Sequence, residues 1–86
     1  MIDIRYDREA DSAYIRISNE KLASTEEESD VCIIDYDSSG RPVGIELLSV
    51  FGYAGASLHS LVRKGLITMP EADAAINGLR GELVSA

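Results

Sequence analysis

Apolar and polar side chains alternate along two stretches near the start of the chain. In IDIRYD the apolar positions are Ile2, Ile4 and Tyr6, and the pattern returns in AYIRIS, which begins at Ala13 after the polar segment DREADS. A period of two places successive side chains on opposite faces of an extended backbone, so each stretch predicts a half-buried strand. Two such strands joined by a short polar segment predict an antiparallel hairpin.

A second hairpin is predicted by two apolar runs, VCIIDY and PVGIELL, on either side of the turn sequence DSSG. An Asp at the start of these four residues and Gly40 at their end favour a type I turn, in which the glycine is free to take a positive φ. With Ile34 opposite Val43, Glu46 shares the outer face of the hairpin with Asp35.

The second half of the chain changes to the period of a helix. Its first residues, SVFGYAG, contain two glycines and predict an irregular link. Leu58 and Leu61 then follow helical spacing, and Gly65 is placed to cap that helix. A second helix is predicted by the capping box of Thr68 and Glu71.

Together these elements predict one α+β domain over residues 1–86. Residues 1–48 are expected to form a four- or five-stranded antiparallel sheet of two hairpins. Residues 49–86 add one or two helices on one face of that sheet. The fifth strand would be residues 25–28, an acidic segment that fits a charged edge strand and a solvated loop equally well.

The formal net charge is -7, and all of it comes from one half of the chain. The residues through Leu48 contain twelve acids and five bases, whereas the rest contains three of each. Nucleic-acid binders present basic patches, so this balance argues against a nucleic-acid partner. It suits a soluble protein, or one with a cationic partner, which an acidic surface attracts over a distance.

Size, cysteine content and hydropathy indicate the oligomeric state and the compartment to expect. A chain of 86 residues buries only ~60% of the surface that its unfolded form exposes, so we expect a homodimer, joined through the sheet face or the C-terminal helices. The single Cys32 allows no internal disulfide and lies in an apolar run, which indicates a buried, unreactive thiol. No apolar run is long enough to cross a membrane, and we expect a cytoplasmic protein with no membrane contact.

The segment DYDSSGRPVGIE fits the spacing of an EF-hand calcium loop, from Asp35 to Glu46. A true loop of this kind lies between two helices, because the last Glu must swing in from the exiting helix. Here both flanks are strand-like, and Pro42 occupies the position that normally carries a branched apolar residue. The match is therefore better explained as a hairpin, and weak cation binding at Asp35 and Asp37 is the alternative.

Few other side chains suggest chemistry. His59 lacks a neighbouring ligand or acid and is expected at the surface. The acids of the first loop, Asp7, Glu9 and Asp11, fit loop capping better than a cation site. Glu46 fits a cross-strand ion pair with Arg16 or Arg5, or a buried functional carboxylate. Core or interface packing explains the tyrosines better than base stacking does; these are Tyr14, Tyr36 and Tyr53.

Two segments resemble the signatures of a known prokaryotic family. YDREADSAYIRIS is similar to its opening pattern, Tyr-Asp-x-Glu-Ala-Asp-x-x-Tyr-Ile. IIDYDSSGRPVGIELL is similar to the second, an apolar run followed by Asp-Tyr-Asp, a glycine turn and Val-Gly-Ile-Glu. The chain thus resembles the family called domain of unknown function 2283, over about its first 50 residues.

This resemblance supplies no catalytic residue, no cofactor-binding residue, no metal ligand and no cofactor. Some family members are encoded beside small proteins that look like ribonuclease-type toxins, which implies an antitoxin-like role. The sequence therefore favours a non-enzymatic binding or regulatory module acting through protein–protein interaction. The competing hypotheses are a small metal-assisted enzyme that uses the acidic loop, and a purely structural oligomerisation domain.

Overall fold

The computed structural model describes residues 2–84 and contains five strands followed by two helices. The strands are β1 (Asp3–Asp7), β2 (Ser12–Arg16), β3 (Ser24–Ser29), β4 (Cys32–Tyr36) and β5 (Pro42–Leu48), and the helices are α1 (Val50–Arg63) and α2 (Met69–Val84). All neighbouring strands are antiparallel, in the spatial order β1-β2-β5-β4-β3. The predicted α+β fold is confirmed, with a fifth strand at the edge of the sheet and two helices.

The connection from β2 to β3 crosses one end of the sheet, because β2 lies beside β5 whereas β3 lies at the far edge. The Ile17 N–H donates to the Val43 carbonyl at 3.0 Å, and the Ala23 N–H donates to that of Tyr36 at 2.7 Å. The guanidinium of Arg16 donates to two further carbonyls of the connection. These bonds satisfy the backbone of a segment that belongs to no strand.

The core lies between one face of the sheet and the two helices. Its most deeply buried large side chains come from both layers and are Ile15, Ile34, Val43, Ile45, Leu47, Leu58 and Leu61. Cys32 lies among them with a free thiol, as predicted, and burial raises the pKa of that thiol to about 11. Neither helix is long and apolar enough to cross a membrane.

The second hairpin has the predicted faces and a different register. Ile34 lies opposite Ile45, two residues from the predicted partner Val43. The loop closes through an Asp37 N–H bond to the Arg41 carbonyl at 2.9 Å, one residue beyond the predicted turn, and the register shifts by one further residue between Asp35 and Tyr36. Together these two shifts move the strands by two positions, and a shift of two leaves every side chain on its original face.

Helix α1 starts at Val50, so the expectation of an irregular link over SVFGYAG is wrong. The cause is a cap supplied from another part of the chain. The Val50 N–H donates to the backbone carbonyl of Asp11 at 3.0 Å, and the Phe51 N–H donates to the Asp11 carboxylate at 3.2 Å. Tyr6 holds that carboxylate through a 2.8 Å hydrogen bond from its hydroxyl. Ser49, at φ 55°, turns the chain from β5 into the helix.

The other predicted helix ends are confirmed. Gly65 has φ 76°, and the Leu66 N–H donates back to the Leu61 carbonyl at 3.0 Å. Thr68 and Glu71 form the reciprocal capping box. The Thr68 N–H donates to the Glu71 carboxylate at 2.8 Å, and the Glu71 N–H donates to the Thr68 hydroxyl oxygen at 3.2 Å.

Asp11→Ala is expected to lower the free energy of unfolding by about 1–2 kcal/mol, because the Phe51 N–H in the first turn of α1 loses its charged acceptor. Chemical denaturation followed by circular dichroism measures this loss. Glu9→Ala is the matched control, since it removes an exposed acid from the same loop. Equal effects of the two substitutions would contradict a capping role for Asp11.

Candidate binding surface

The sheet face opposite the helices is uncovered and carries side chains from all five strands. We call it the open sheet face. The strand pairing arranges its side chains in two rows across the sheet. From β3 to β1, the first row is Glu27, Ile33, Glu46, Tyr14 and Arg5, and the second is Thr25, Asp35, Gly44, Arg16 and Asp3.

A hydrogen-bonded chain runs across the middle of this face. The Tyr14 hydroxyl donates to Asp35 Oδ2 at 2.6 Å, and the Thr25 hydroxyl donates to Asp35 Oδ1 at 2.7 Å. Partial burial and the hydrogen bond to the carboxylate raise the pKa of Tyr14 to about 12. To reach Asp35, the Tyr14 ring crosses β5 at Gly44, where an added Cβ would lie 1.9 Å from the hydroxyl oxygen.

Glu46 is exposed and does not form the predicted ion pair. Within residues 2–84 its carboxylate takes part in no hydrogen bond and no ion pair, and it is not buried either. Arg16, one of the two predicted partners, instead donates to the carbonyls of Ser18 and Glu20, at 2.5 and 2.9 Å. Arg16 therefore binds backbone carbonyls of the crossover connection and not the Glu46 carboxylate.

The open sheet face is polarised from one side to the other. Its β1–β2 side contains an open hollow of about 360 Å³ lined by Asp3, Arg5, Tyr14, Arg16 and Asn19. Its β3–β5 side carries exposed acids. Among them, Glu27 lies on the β3 edge, Asp30 lies in the turn that follows it, and Glu46 lies two strands away. We call these three side chains the acidic margin.

The neighbouring Glu28 points to the helical side instead. It forms an ion pair of 3.2 Å with Lys64 at the end of α1. This contact ties the edge strand to the helical layer, and it leaves the other acids of the edge in solvent.

The calcium-loop match is a hairpin turn, as the strand-like flanks predicted. Asp37 Oδ1 accepts the Ser39 N–H at 2.9 Å, the Ser39 hydroxyl at 2.7 Å and the Arg41 N–H at 3.0 Å. These bonds hold the pKa of Asp37 below its usual value. Asp35 is bound to Tyr14 and Thr25, so both candidate cation ligands already serve groups of the protein. Among residues 2–84 no three acidic, cysteine or histidine side chains converge on a metal site.

The acids of the first loop support its backbone, as predicted. Asp7 Oδ1 accepts the N–H groups of Glu9 and Ala10, at 3.1 and 3.3 Å, and Asp11 caps α1. The Glu9 side chain is exposed, and so is His59 on α1.

The three tyrosines considered for base stacking lie in different places. Tyr14 is on the open sheet face, Tyr36 is in the core, and Tyr53 is 55% exposed on α1. They do not form a common stacking platform.

The contact of Tyr14 with Gly44 and Asp35 is not predicted by the sequence pattern. A glycine inside a strand often marks a close approach of another group. Gly44 therefore carried a usable signal, but it did not identify which side chain fills the space.

These features define a small α+β protein with a one-sided core and a polarised open sheet face. A family model described as protein of unknown function (DUF2283) matches residues 3–50, more than half of the chain. The chain belongs to this family, which confirms the resemblance. No curated protein and no solved structure matches it. Most of α1 and all of α2 lie outside the matched range.

Gly44→Ala is expected to destabilise the protein by about 2 kcal/mol or more, because the new methyl group displaces the Tyr14 ring and breaks its bond to Asp35. Denaturant unfolding measures the change. In a Tyr14→Ala background the same substitution should cost far less, since nothing then occupies the space. A cost that is unchanged in that background would rule out the steric explanation.

The ring of Tyr14 is expected to titrate near pH 12 in the folded protein, against ~10 for an unperturbed tyrosine. Because the folded-state pKa is raised, the stabilisation that it reflects is complete below pH ~10 and is lost between pH ~10 and ~12. NMR of the ring carbons reports the titration. Asp35→Asn should lower the midpoint, and a wild-type midpoint near pH ~10 would contradict the contact.

Proposed function

We propose that this protein is a non-enzymatic binding module that docks a cationic protein through the acidic margin of its open sheet face. The proposal is carried by one observation, namely that the three acids of the margin are exposed. Within the described part of the chain they form no ion pair, and they accept no side-chain hydrogen bond. A solvated acid keeps its field available to a partner, whereas a paired acid does not.

The distribution of charge supports this surface. The sheet half of the chain carries the whole net charge of -7, and the helical half is neutral. A cationic protein is therefore steered toward the sheet. Complementary charge of this kind raises the association rate and selects against acidic partners.

The first row of the open sheet face suggests how one basic side chain is recognised. Ile33 is half-buried between Glu27 and Glu46, one strand away on each side. Adjacent strands are ~4.8 Å apart, so the two carboxylates flank an apolar strip that is ~10 Å wide. An arginine or lysine fits this arrangement, with its stem over Ile33 and its charged group between the acids.

The rigidity of the surface favours docking over induced folding. Asp35 is fixed by Thr25 on the neighbouring strand β3 and by Tyr14 on β2, two strands away, and these bonds hold the middle of the open sheet face in place. A preorganised surface loses less side-chain entropy when it binds. The antitoxin-like role implied by the family resemblance is one form of this proposal, in which the cationic partner is an RNA-cleaving protein.

A lysine- and arginine-rich peptide is the probe for this function. We expect amide shifts on addition of the peptide to concentrate on β3, on β4 around Ile33 and on β5 around Glu46. The paired substitution Glu27→Lys and Glu46→Lys should weaken binding at least ~10-fold, and added salt should weaken binding to the wild type.

The paired substitution Glu9→Lys and Asp73→Lys provides a matched control, because it replaces two exposed acids outside the acidic margin and changes the net charge by the same amount. It should leave binding within about two-fold of the wild-type value. Shifts spread evenly over all acids, or an equal loss in the control, would show that only the net charge matters and would refute a defined docking surface.

A further inference from the structure

An apolar groove lies between the first half of α1 and the second half of α2. Its volume is about 150 Å³, and it opens to solvent. Its lining is mostly apolar and includes one charged side chain, Arg80; the other lining residues are Val50, Ala54 and Gly55 from α1 and Ile76, Leu79 and Leu83 from α2. The groove lies on the helical layer, so it is separate from the open sheet face.

A large apolar side chain stands beside this groove in solvent. Phe51 is 84% exposed, which is unusual for a phenylalanine, and Val84 near the end of α2 is 80% exposed. Phe51 precedes Gly55 by four residues, so the two lie one turn apart on the same side of α1. One side of α1 thus carries Phe51, which projects as a knob, and Gly55, which lines the apolar groove one turn away. The groove is the matching hole.

We propose that this surface joins two copies of the chain, with Phe51 of each copy in the groove of the other. A knob and a hole on the same surface are self-complementary under a two-fold axis, which forms the same contact twice. Gly55 provides the space, since a Cβ added there would meet nothing within 4 Å. The same is true of Gly52, so two α1 helices can approach closely at this end.

Charge favours a second copy on this surface and disfavours it on the sheet. Two chains of net charge -7 repel each other, and that charge resides in the residues through Leu48. The helical half contains three acids and three bases. Two copies that meet through their helices therefore bring neutral surfaces together and keep the acidic sheets apart.

The available area also suits a dimer. The helices have 14 and 16 residues, so they are ~21 and ~24 Å long at 1.5 Å per residue. Packed 8–10 Å apart, they present an outer face of roughly 400 Å² in projection, and its accessible area is larger. That is compatible with the lower end of specific interfaces, about 1,200 Å² in total. Phe51 alone contributes on the order of 170 Å² per copy.

Sedimentation equilibrium of the whole chain at ~100 µM tests this proposal. We expect the wild type to sediment as a dimer of the 9.3 kDa chain. Phe51→Ala removes the knob and Gly55→Leu fills the hole, and each should give a monomer. Tyr53→Ala is the control, because it removes an exposed aromatic side chain from another side of α1 and should leave the dimer intact.

Mixing the two variants gives a sharper result than either alone. Neither variant can form a knob-in-groove contact with itself, but the mixture restores one, between Phe51 of the Gly55→Leu chain and the groove of the Phe51→Ala chain. We expect a heterodimer weaker than the wild-type dimer, detectable by native mass spectrometry. Circular dichroism checks that both variants fold.

Three results would overturn the proposal. A wild-type chain that is monomeric at ~100 µM would leave the groove without a second copy. A dimer that survives both Phe51→Ala and Gly55→Leu would place the contact elsewhere, including on the sheet. Two folded monomeric variants whose mixture stays monomeric would show that Phe51 does not enter this groove.

Discussion

The hydroxyl of Tyr14 reaches Asp35 across two strand boundaries only because Gly44 has no side chain. This contact links β2, which belongs to the first hairpin, to β4 and β5, which belong to the second. Those hairpins are far apart in the sequence, and a non-local pairing must offset the entropy of closing the intervening loop. The buried partners of β2 and β5 on the other face supply most of that free energy. Tyr14 adds a directional bond that fits only one register.

The helical layer depends on the same first hairpin through Asp11. Its carbonyl and carboxylate receive the first N–H groups of α1, and Tyr6 fixes the carboxylate. The family match ends at residue 50, where the helix that Asp11 caps begins. The side chains that carry the family resemblance are thus occupied in shaping the backbone, since Asp7 orders a loop and Asp11 caps a helix. Part of the recognisable pattern therefore has a structural role.

Local chemistry in the sequence predicted much of this fold. The alternation of apolar and polar residues predicted which side chains of each strand face the core, because burial of one face gives a sequence period of two. The capping box of Thr68 and Glu71 and the glycine at Gly65 marked helix ends, because their partners lie within a few residues. The features that the sequence did not predict depend on contacts between residues that are far apart in the chain or on opposite sides of a connection. Asp11, which caps α1, precedes Phe51 by 40 residues. Arg16, one of the two cations expected to pair with Glu46, instead donates to carbonyls of the crossover connection.

A sheet covered on one face only has two outer surfaces of opposite character, and this separation has a consequence for binding. The helical half of the chain has no net charge and carries an exposed Phe51, whereas the open sheet face carries the acidic margin. A dimer formed through the helices would leave both open sheet faces free and pointing away from each other. It would then offer two docking surfaces to cationic partners, and a partner with two basic sites would gain affinity from their linkage. A dimer formed through the sheets would instead bury the acidic margins against each other, where like charges without counterions are costly. The two proposals are therefore compatible, since one places self-association on the helices and the other places recognition on the open sheet face.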